Sequence, residues 1–327
     1  MTLRRRTFLQ LAAGVAVLAA ARRPASALDY PIRPVRVIVG FAAGGAPDIV
    51  ARVIAEFLSE RLGQAFVIEN RPGAGTNLAT EAVAKAAPDG YTLLVMALPG
   101  SVSSPIIYRT TSFSVVRDIA AVAGINTNPF VMVVNSSFPA RTVAEFIAYA
   151  KANPGKINIA STGTGNLTYL SAELFKMMAG LDMVQVPSRS EAQAQSDLLS
   201  GRAQVLFDPV ITALEPIRAG RLRALALTGA TRLDALLPGV PSIGEFVPGY
   251  DVDGFLGVGA PAGTPAAIVD KLNQAIGAAL ADPAINKRFA DLGCVQVTMT
   301  PAEFHKLIAD ETAKWTKVIK FAGIKPD

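Results

Sequence analysis

The sequence predicts an α/β protein of two lobes. Strand-like apolar runs alternate with helix-like patterns along the chain, an order typical of parallel strands covered by helices. A strand, a Gly-rich loop and a helix follow one another twice, once in each half of the chain. With 327 residues, of which 51% are apolar, the chain is long enough for two domains with a core each.

Residues 1–27 have the pattern of an export leader. Residues 5–10 (RRTFLQ) resemble a twin-arginine export signal, and residues 25–27 (ASA) form a small-residue cleavage site. The apolar run from Leu9 to Ala21 is shorter than the roughly 20 residues that a membrane-spanning helix requires, and an uncleaved anchor is the alternative. We expect export to the periplasm and a mature chain that begins near Leu28.

The basic character of the chain comes from this leader. The formal net charge is +5, and residues 1–27 hold five arginines and no acidic residue. Removing those arginines from the 31 basic residues leaves 26, against 26 acidic residues. The mature chain is therefore near neutral and has no electrostatic footprint for nucleic acid, so we expect no such partner.

The first unit starts with a strand predicted from Val35 to Val39 and continues as a helix predicted over residues 47–62. Pro47 suits the first turn of that helix, and Gly63 is a typical residue just after its end. Further strands are predicted over residues 65–69 and 91–96, with a helix over residues 78–86 between them.

The loop between the first strand and its helix has the features of an anion site. Gly44 and Gly45 admit a ligand close to the backbone, and the free N–H groups of the first helical turn face the loop. Neither nucleotide-binding fingerprint is present, so a small carboxylate suits the loop better. The alternative is an ordinary strand-to-helix turn in which Asp48 merely favours the helix start.

A second unit of the same plan follows later in the chain. A strand predicted over residues 157–160 leads into the Gly-rich residues 161–166 (STGTGN), then a helix that stops at Gly180 and a strand over residues 183–186. Two such loops, one in each lobe, would grip both ends of a small anion. The alternative is that any α/β protein repeats such units.

Two segments rich in turn formers mark crossings between the lobes, residues 126–129 and 248–251. They place lobe I at residues 28–127 plus 251–327 and lobe II at residues 128–250, and they imply a hinge. Helices that begin near residues 265 and 301 are expected to complete lobe I.

The chain lacks the residues that most catalytic mechanisms require. His305 is the only histidine and Cys294 the only cysteine, which excludes a thiolate zinc cluster and leaves no convincing Cys-His pair. A serine triad would have to recruit His305, and no G-x-S-x-G elbow accompanies it. We expect no metal ion and no cofactor. Acid–base catalysis by Asp48, Asp89 or Asp208 is the alternative that these residues leave open.

Other polar residues allow two interpretations each. Arg189 could offer a planar fork to a carboxylate or be an ordinary solvated arginine. Asp208 could accept from a ligand donor or cap the turn that follows Pro209. In a third Gly-rich loop, residues 70–77, Thr76 either caps the next helix or lines a pocket.

The chain resembles the Bug family, the extracytoplasmic solute receptors of tripartite tricarboxylate transporters. The resemblance covers almost the whole mature chain. Its motifs are, in chain order, residues 44–48 (GGAPD), 69–75 (ENRPGAG), 87–92 (APDGYT), 172–176 (AELFK), 197–201 (DLLSG) and 219–226 (AGRLRALA).

This resemblance implies a two-lobed periplasmic-binding fold of type 2 that closes over an organic acid like a Venus flytrap. The ligand residues it implies, together with the side chains discussed above, are Phe41, Ala42, Gly44, Gly45, Asp48, Thr76, Ser101, Thr162, Gly163, Gly165, Asn166, Arg189 and Asp208. The chain departs from the family pattern in the wall of the site, at Ser101, Ser104, Tyr169 and residues 188–191.

The sequence thus predicts a non-catalytic receptor that captures a carboxylated solute. Its expected partners are a small organic acid and the inner-membrane permease of a tripartite tricarboxylate transporter, and we expect a monomer. One alternative is a receptor that presents its ligand to a membrane sensor kinase. Another is a periplasmic enzyme that uses Asp48 and Asp208.

Overall fold

A computed structural model describes residues 29–108 and 112–324, with the side chains of residues 321 and 322 left aside. The predicted leader lies outside the described residues. Two mixed β-sheets organise the chain, each with helices packed on it. Lobe I here denotes the part built on the first sheet and lobe II the part built on the second. In the described part of the chain, no helix is long and apolar enough to cross a membrane.

The sheet of lobe I has six strands. Strands β1, β2 and β3 run parallel to one another, whereas β10 runs antiparallel to both of its neighbours. In spatial order the strands are β11 (Val295–Gln296), β4 (Ile119–Asn128), β10 (Gly254–Pro261), β3 (Thr92–Leu98), β1 (Val35–Val39) and β2 (Phe66–Asn70).

The sheet of lobe II has five strands. Strand β6 is parallel to both of its neighbours, and β5 is antiparallel to the strands on either side of it. In spatial order the strands are β7 (Val184–Pro187), β6 (Asn158–Ser161), β8 (Val205–Pro209), β5 (Phe130–Asn135) and β9 (Leu222–Leu227).

Helices cover both sheets, and the helices that the sequence predicts are present. In chain order they are α1 (Ala46–Leu62), α2 (Asn77–Ala84), α3 (Gly100–Tyr108), α4 (Val115–Asp118), α5 (Val143–Ala152), α6 (Leu167–Ala179), α7 (Glu191–Leu199), α8 (Val210–Arg218), α9 (Ala266–Ala281), α10 (Pro283–Asp291) and α11 (Pro301–Ala322).

Helix α1 shows why the local pattern predicts its element well. Pro47 occupies the first turn, and Gly63 ends the helix with φ 70° while its N–H bonds to Ser59. The apolar stripe of the helix, which includes Val50 and Leu58, is buried against the sheet.

The purely parallel sheets that alternating strands and helices suggest are not found, because the chain crosses between the lobes at one place. Strand β4 ends at Asn128 and β10 begins opposite it at Gly254. In lobe II, Leu227 at the end of β9 pairs with Val131 at the start of β5. The strands by which the chain enters and leaves each lobe therefore meet at the same crossing point, β4 with β10 in lobe I and β5 with β9 in lobe II, which makes these pairings antiparallel. The lobe boundaries at residues 127 and 251, and the hinge, stay predictions.

Candidate functional site

A cavity of about 400 Å³ lies between the two lobes. Both lobes contribute to its wall through loops at the starts of helices. The lining residues are 40–45, 72–76 and 188–192 together with Tyr108, Thr162, Gly163 and Asn166.

The loop before α1, residues 40–45, is held by a charged network behind it. Gly44 has φ 82°, and its N–H donates to Oδ2 of Asp48 at 2.8 Å. Arg52 and Asn70 donate to the same carboxylate at 2.9 Å each. Burial alone would raise the pKa of Asp48, but the hydrogen bonds from Arg52, Gly44 and Asn70 outweigh it and hold the pKa below its usual value. The ionised carboxylate of Asp48 therefore holds the loop in place.

The loop before α6, residues 162–166, is held by neutral groups. Gly163 has φ 109°. The N–H of Thr162 donates to Oγ1 of Thr168 at 3.0 Å, and Nδ2 of Asn166 donates to the Thr162 carbonyl at 2.7 Å. Oδ1 of Asn166 is buried, and among the described residues it has no hydrogen-bond partner. Unlike the first loop, this one is not held by an acidic side chain.

The lobes touch each other beside the cavity. Oγ of Ser103 in lobe I donates to the Gly165 carbonyl in lobe II at 2.7 Å. A Cβ atom added to Gly165 would lie 2.7 Å from Oγ of Ser104, and one added to Gly75 would overlap the same atom. Only glycine permits so close an approach at either position. The two lobes are thus in direct contact at this edge of the cavity.

Thr76 holds a strained backbone conformation at the cavity wall. Its φ of 83° lies in the left-handed region, where a β-branched residue is rare. The side chain is 3% exposed, and its Oγ1 has no hydrogen-bond partner in the described part of the chain. A strained residue with an unpaired polar atom at a cavity is typical of a ligand contact.

The start of α7 forms a third side of the cavity. The sequence placed residues 188–191 in the wall of the site but did not predict a helix start there. The Ser190 hydroxyl caps the helix by accepting from the N–H of Gln193. The pattern Ser-x-x-Gln over residues 190–193 is a capping-box signature, so a local signal for this helix start was present. Arg189 lies directly before it, is exposed, and has no hydrogen bond or ion pair among the described residues.

Glu191, for which the sequence predicted a place in the wall but no role, extends from α7 to lobe I. Its side chain is 8% exposed, and Oε2 accepts from the N–H of Ala46, the first residue of α1, at 2.8 Å. Burial raises the pKa of Glu191 to about 7, against the lowering effect of that hydrogen bond. A carboxylate of the protein therefore occupies the helix start for which the sequence predicted a ligand anion.

Nine of the thirteen predicted site residues line the cavity, and four do not. Asp48 supports its loop from behind, and Gly165 contacts Ser103 of the other lobe. Oγ of Ser101 accepts from the Ala97 N–H at 3.1 Å. The residues that line the cavity are Phe41, Ala42, Gly44, Gly45, Thr76, Thr162, Gly163, Asn166 and Arg189.

Asp208, the fourth residue outside the wall, is fully buried behind it. Its carboxylate accepts from Gln195 at 2.6 Å and from Thr212 at 3.2 Å. Burial first, and then the charge of Glu191, raise the pKa of Asp208 to about 8. Pro209 precedes the first residue of α8, and no side chain caps that helix start, so the hydrogen bonds of Asp208 are to side chains and the predicted cap is not found.

No group of acidic, histidine or cysteine side chains suited to a metal ion occurs within residues 29–108 and 112–324. His305 is exposed on α11, and Cys294 is buried, which raises the pKa of its thiol to about 12.

Three comparisons with known proteins agree with one another. A family model described as "Tripartite tricarboxylate transporter family receptor" matches residues 50–324. BugT of Bordetella pertussis is 35% identical over 308 residues, which are 92% of this chain and 93% of BugT.

Solved structures are similar over nearly the same length. A protein of R. palustris solved with adipate has a TM-score of 0.87 and 35% identity, and the match covers 91% of this chain and all of that one. MatC of Rhodopseudomonas palustris, solved with bound malate, has a TM-score of 0.83 and 32% identity over 89% of this chain and all of MatC. The predicted two-lobed α/β fold is confirmed.

Proposed function

Since the chain belongs to the family of tripartite tricarboxylate transporter receptors, we propose that it captures a small organic acid in the periplasm and delivers it to the membrane permease of such a transporter. As a member of this family it is a solute-binding receptor rather than an enzyme. Export by the twin-arginine route, from the pattern of residues 5–10, is part of the proposal.

The observation that carries the proposal is the arrangement of charge around the interlobe cavity. Helices α1, α6 and α7 all begin at its wall, and because Glu191 already accepts from the start of α1, the positive ends of α6 and α7 remain open to a ligand. Arg189 adds a guanidinium group with no partner among the described residues. Such a space favours an anion, and a volume of about 400 Å³ suits a small one.

We assign the ligand contacts to the predicted residues at that wall. The start of α6 and Arg189 would hold a carboxylate, with the Thr76 hydroxyl as a further donor. Adipate and malate, the acids in the two solved relatives, are carboxylates of a size that such a space accepts. Closure of one lobe on the other would then enclose the ligand.

The proposal is tested on the mature protein, residues 28–327, after unfolding and refolding have removed any ligand that co-purifies. The panel holds aliphatic and aromatic acids with one, two or three carboxylates, with and without amino groups. A ligand at about 100 times its Kd should stabilise the fold by about 2.7 kcal/mol, visible as a higher melting temperature.

Uptake provides the second arm of the test. Deletion of the gene should abolish uptake of the acid that binds best, and a copy encoding Arg189→Ala should not restore it. If no acid of the panel raises the melting temperature or gives heat in calorimetry, the proposed function is wrong. Normal uptake in the deletion strain would contradict the transport role alone.

A further inference from the structure

Glu191 gives the two Gly-rich loops different properties. It belongs to α7 of lobe II, yet its carboxylate lies at the start of α1 in lobe I, bonded to the Ala46 N–H at 2.8 Å. A Cβ atom added to Gly45 would lie 3.0 Å from Oε2 of Glu191. The carboxylate therefore fills the position at which this loop would otherwise hold an anionic group of a ligand.

No cation among residues 29–108 and 112–324 balances this carboxylate. Among the described residues Glu191 forms no ion pair, and its one hydrogen bond is to the Ala46 N–H. Asp208 lies near enough to interact, and its ionised form would have the same sign of charge. The first turns of α1 and α7 stabilise an anion in part. A buried charge without a partner is nevertheless costly, and such groups occur where a ligand supplies the partner.

Among the described residues, the cavity wall has one positively charged and one negatively charged side chain. Of the described residues that line it, only Arg189 and Glu191 carry charge. An exposed guanidinium without a partner and a nearly buried carboxylate without a cation thus face the same space. A ligand with two carboxylates would satisfy Arg189 and be repelled at Glu191, whereas a zwitterion would be complementary to both.

We propose that the solute carries one carboxylate and one ammonium group, the carboxylate at Arg189 and the start of α6 and the ammonium group at Glu191. This inference rests on the proposed function and narrows its ligand to amino acids in the broad sense. Glu191 is then the residue that sets the preference for an amino acid over a dicarboxylic acid.

The test uses pairs of ligands that differ in one end only, with calorimetry on the refolded mature protein. Suitable pairs are 6-aminohexanoate with adipate, 5-aminopentanoate with glutarate, leucine with isobutylmalonate, and 4-(aminomethyl)benzoate with terephthalate. In each pair that binds, the wild-type protein should bind the amino partner at least tenfold more tightly.

Glu191→Gln keeps an oxygen for the Ala46 N–H and removes the charge, so it should abolish that preference while the melting temperature stays near or above the wild-type value. Glu60→Gln is the matched control, because Glu60 is exposed on α1 and makes no ion pair among the described residues. This control should leave the preference unchanged.

Three results would overturn the inference and leave the proposed function standing. They are tighter binding of the dicarboxylate by the wild-type protein, an unchanged preference in Glu191→Gln, and binding confined to acids that have no amino group. Failure of every acid in the wider panel to bind would instead contradict the proposed function.

Discussion

The loops before α1 and α6 share a sequence plan of a strand, two glycines and a helix, but they differ in charge. A carboxylate lies at the first helix start, and neutral groups hold the second loop. At the first loop, Glu191 from the other lobe already accepts from the Ala46 N–H. At the second, Asn166 and Thr162 hold the loop through neutral hydrogen bonds, and no acidic side chain belongs to it. Similar helix starts can therefore serve different ends of one ligand, depending on what long-range packing brings to them.

The largest expected effect is on the pH dependence of stability, and it comes from the side of the cavity that holds Glu191. Glu191 and Asp208 have pKa values raised by burial to about 7 and about 8. Between about pH 4 and pH 8 the folded protein binds more protons than the unfolded chain, so the free energy of unfolding should fall as the pH rises. The loss is at most about 1.4 kcal/mol per pH unit for each group.

Chemical denaturation from pH 5 to pH 8 measures this slope. The double variant with Glu191→Gln and Asp208→Asn should show a clearly flatter dependence, because both titrating groups are gone. A wild-type slope equal to that of the double variant would show that these carboxylates are not held in raised-pKa states.

Removal of the cation next to the second loop should weaken binding strongly. Arg189→Ala is expected to reduce affinity for the best acid of the panel by about 10- to 100-fold, since a charge-assisted hydrogen bond contributes about 1.5–3 kcal/mol. Arg189→Lys should recover part of the loss, and Arg221→Ala, an exposed arginine elsewhere in lobe II, should cost nothing. Equal affinities for all three variants in calorimetry would remove Arg189 from the site.

A bulky side chain at the first loop tests whether that loop also faces the ligand. Gly45 has φ −75° and ψ 164°, which valine adopts readily, so Gly45→Val should fold normally. Its Cβ would lie 3.0 Å from Oε2 of Glu191, so the carboxylate must shift slightly, and the larger side chain would take space at the wall of the cavity. We expect about tenfold weaker binding at an unchanged melting temperature, and unchanged binding would place the ligand at the second loop alone.

A substitution at Thr76 should have the smallest effect. It should change stability and ligand affinity in opposite directions. Glycine accepts a φ of 83° without strain, so Thr76→Gly should stabilise the protein by about 1 kcal/mol in thermal unfolding. The loss of the hydroxyl should weaken ligand binding several-fold at the same time. If stability and ligand affinity both rise or both fall, Thr76 is not a strained residue that contacts the ligand.

Elements set by local signals were predictable from the sequence. Pro47 and Gly63 frame α1, and a helix capped by Gly180 follows the second loop as expected. The antiparallel entry of β10 was not predictable from alternation, because it depends on where the chain crosses between lobes.

The site residues also fall into two groups, those that a local pattern predicts and those that depend on long-range contacts. Gly44 and Gly163 have the positive φ values that their loops require, and their place at the cavity follows from local pattern. Contacts between residues distant in the chain carry no local signal. Glu191 bonds to Ala46, 145 positions away, so its role at the first loop became visible only in the folded molecule.

The most direct test of the account is a crystal structure of the mature receptor with the tightest-binding acid of the panel. We predict a ligand carboxylate within hydrogen-bond distance of Arg189 and the first turn of α6, with Glu191 still bonded to the Ala46 N–H. A ligand carboxylate bound at Gly44 and Gly45, with Glu191 displaced, or a ligand bound outside the interlobe cavity, would contradict it.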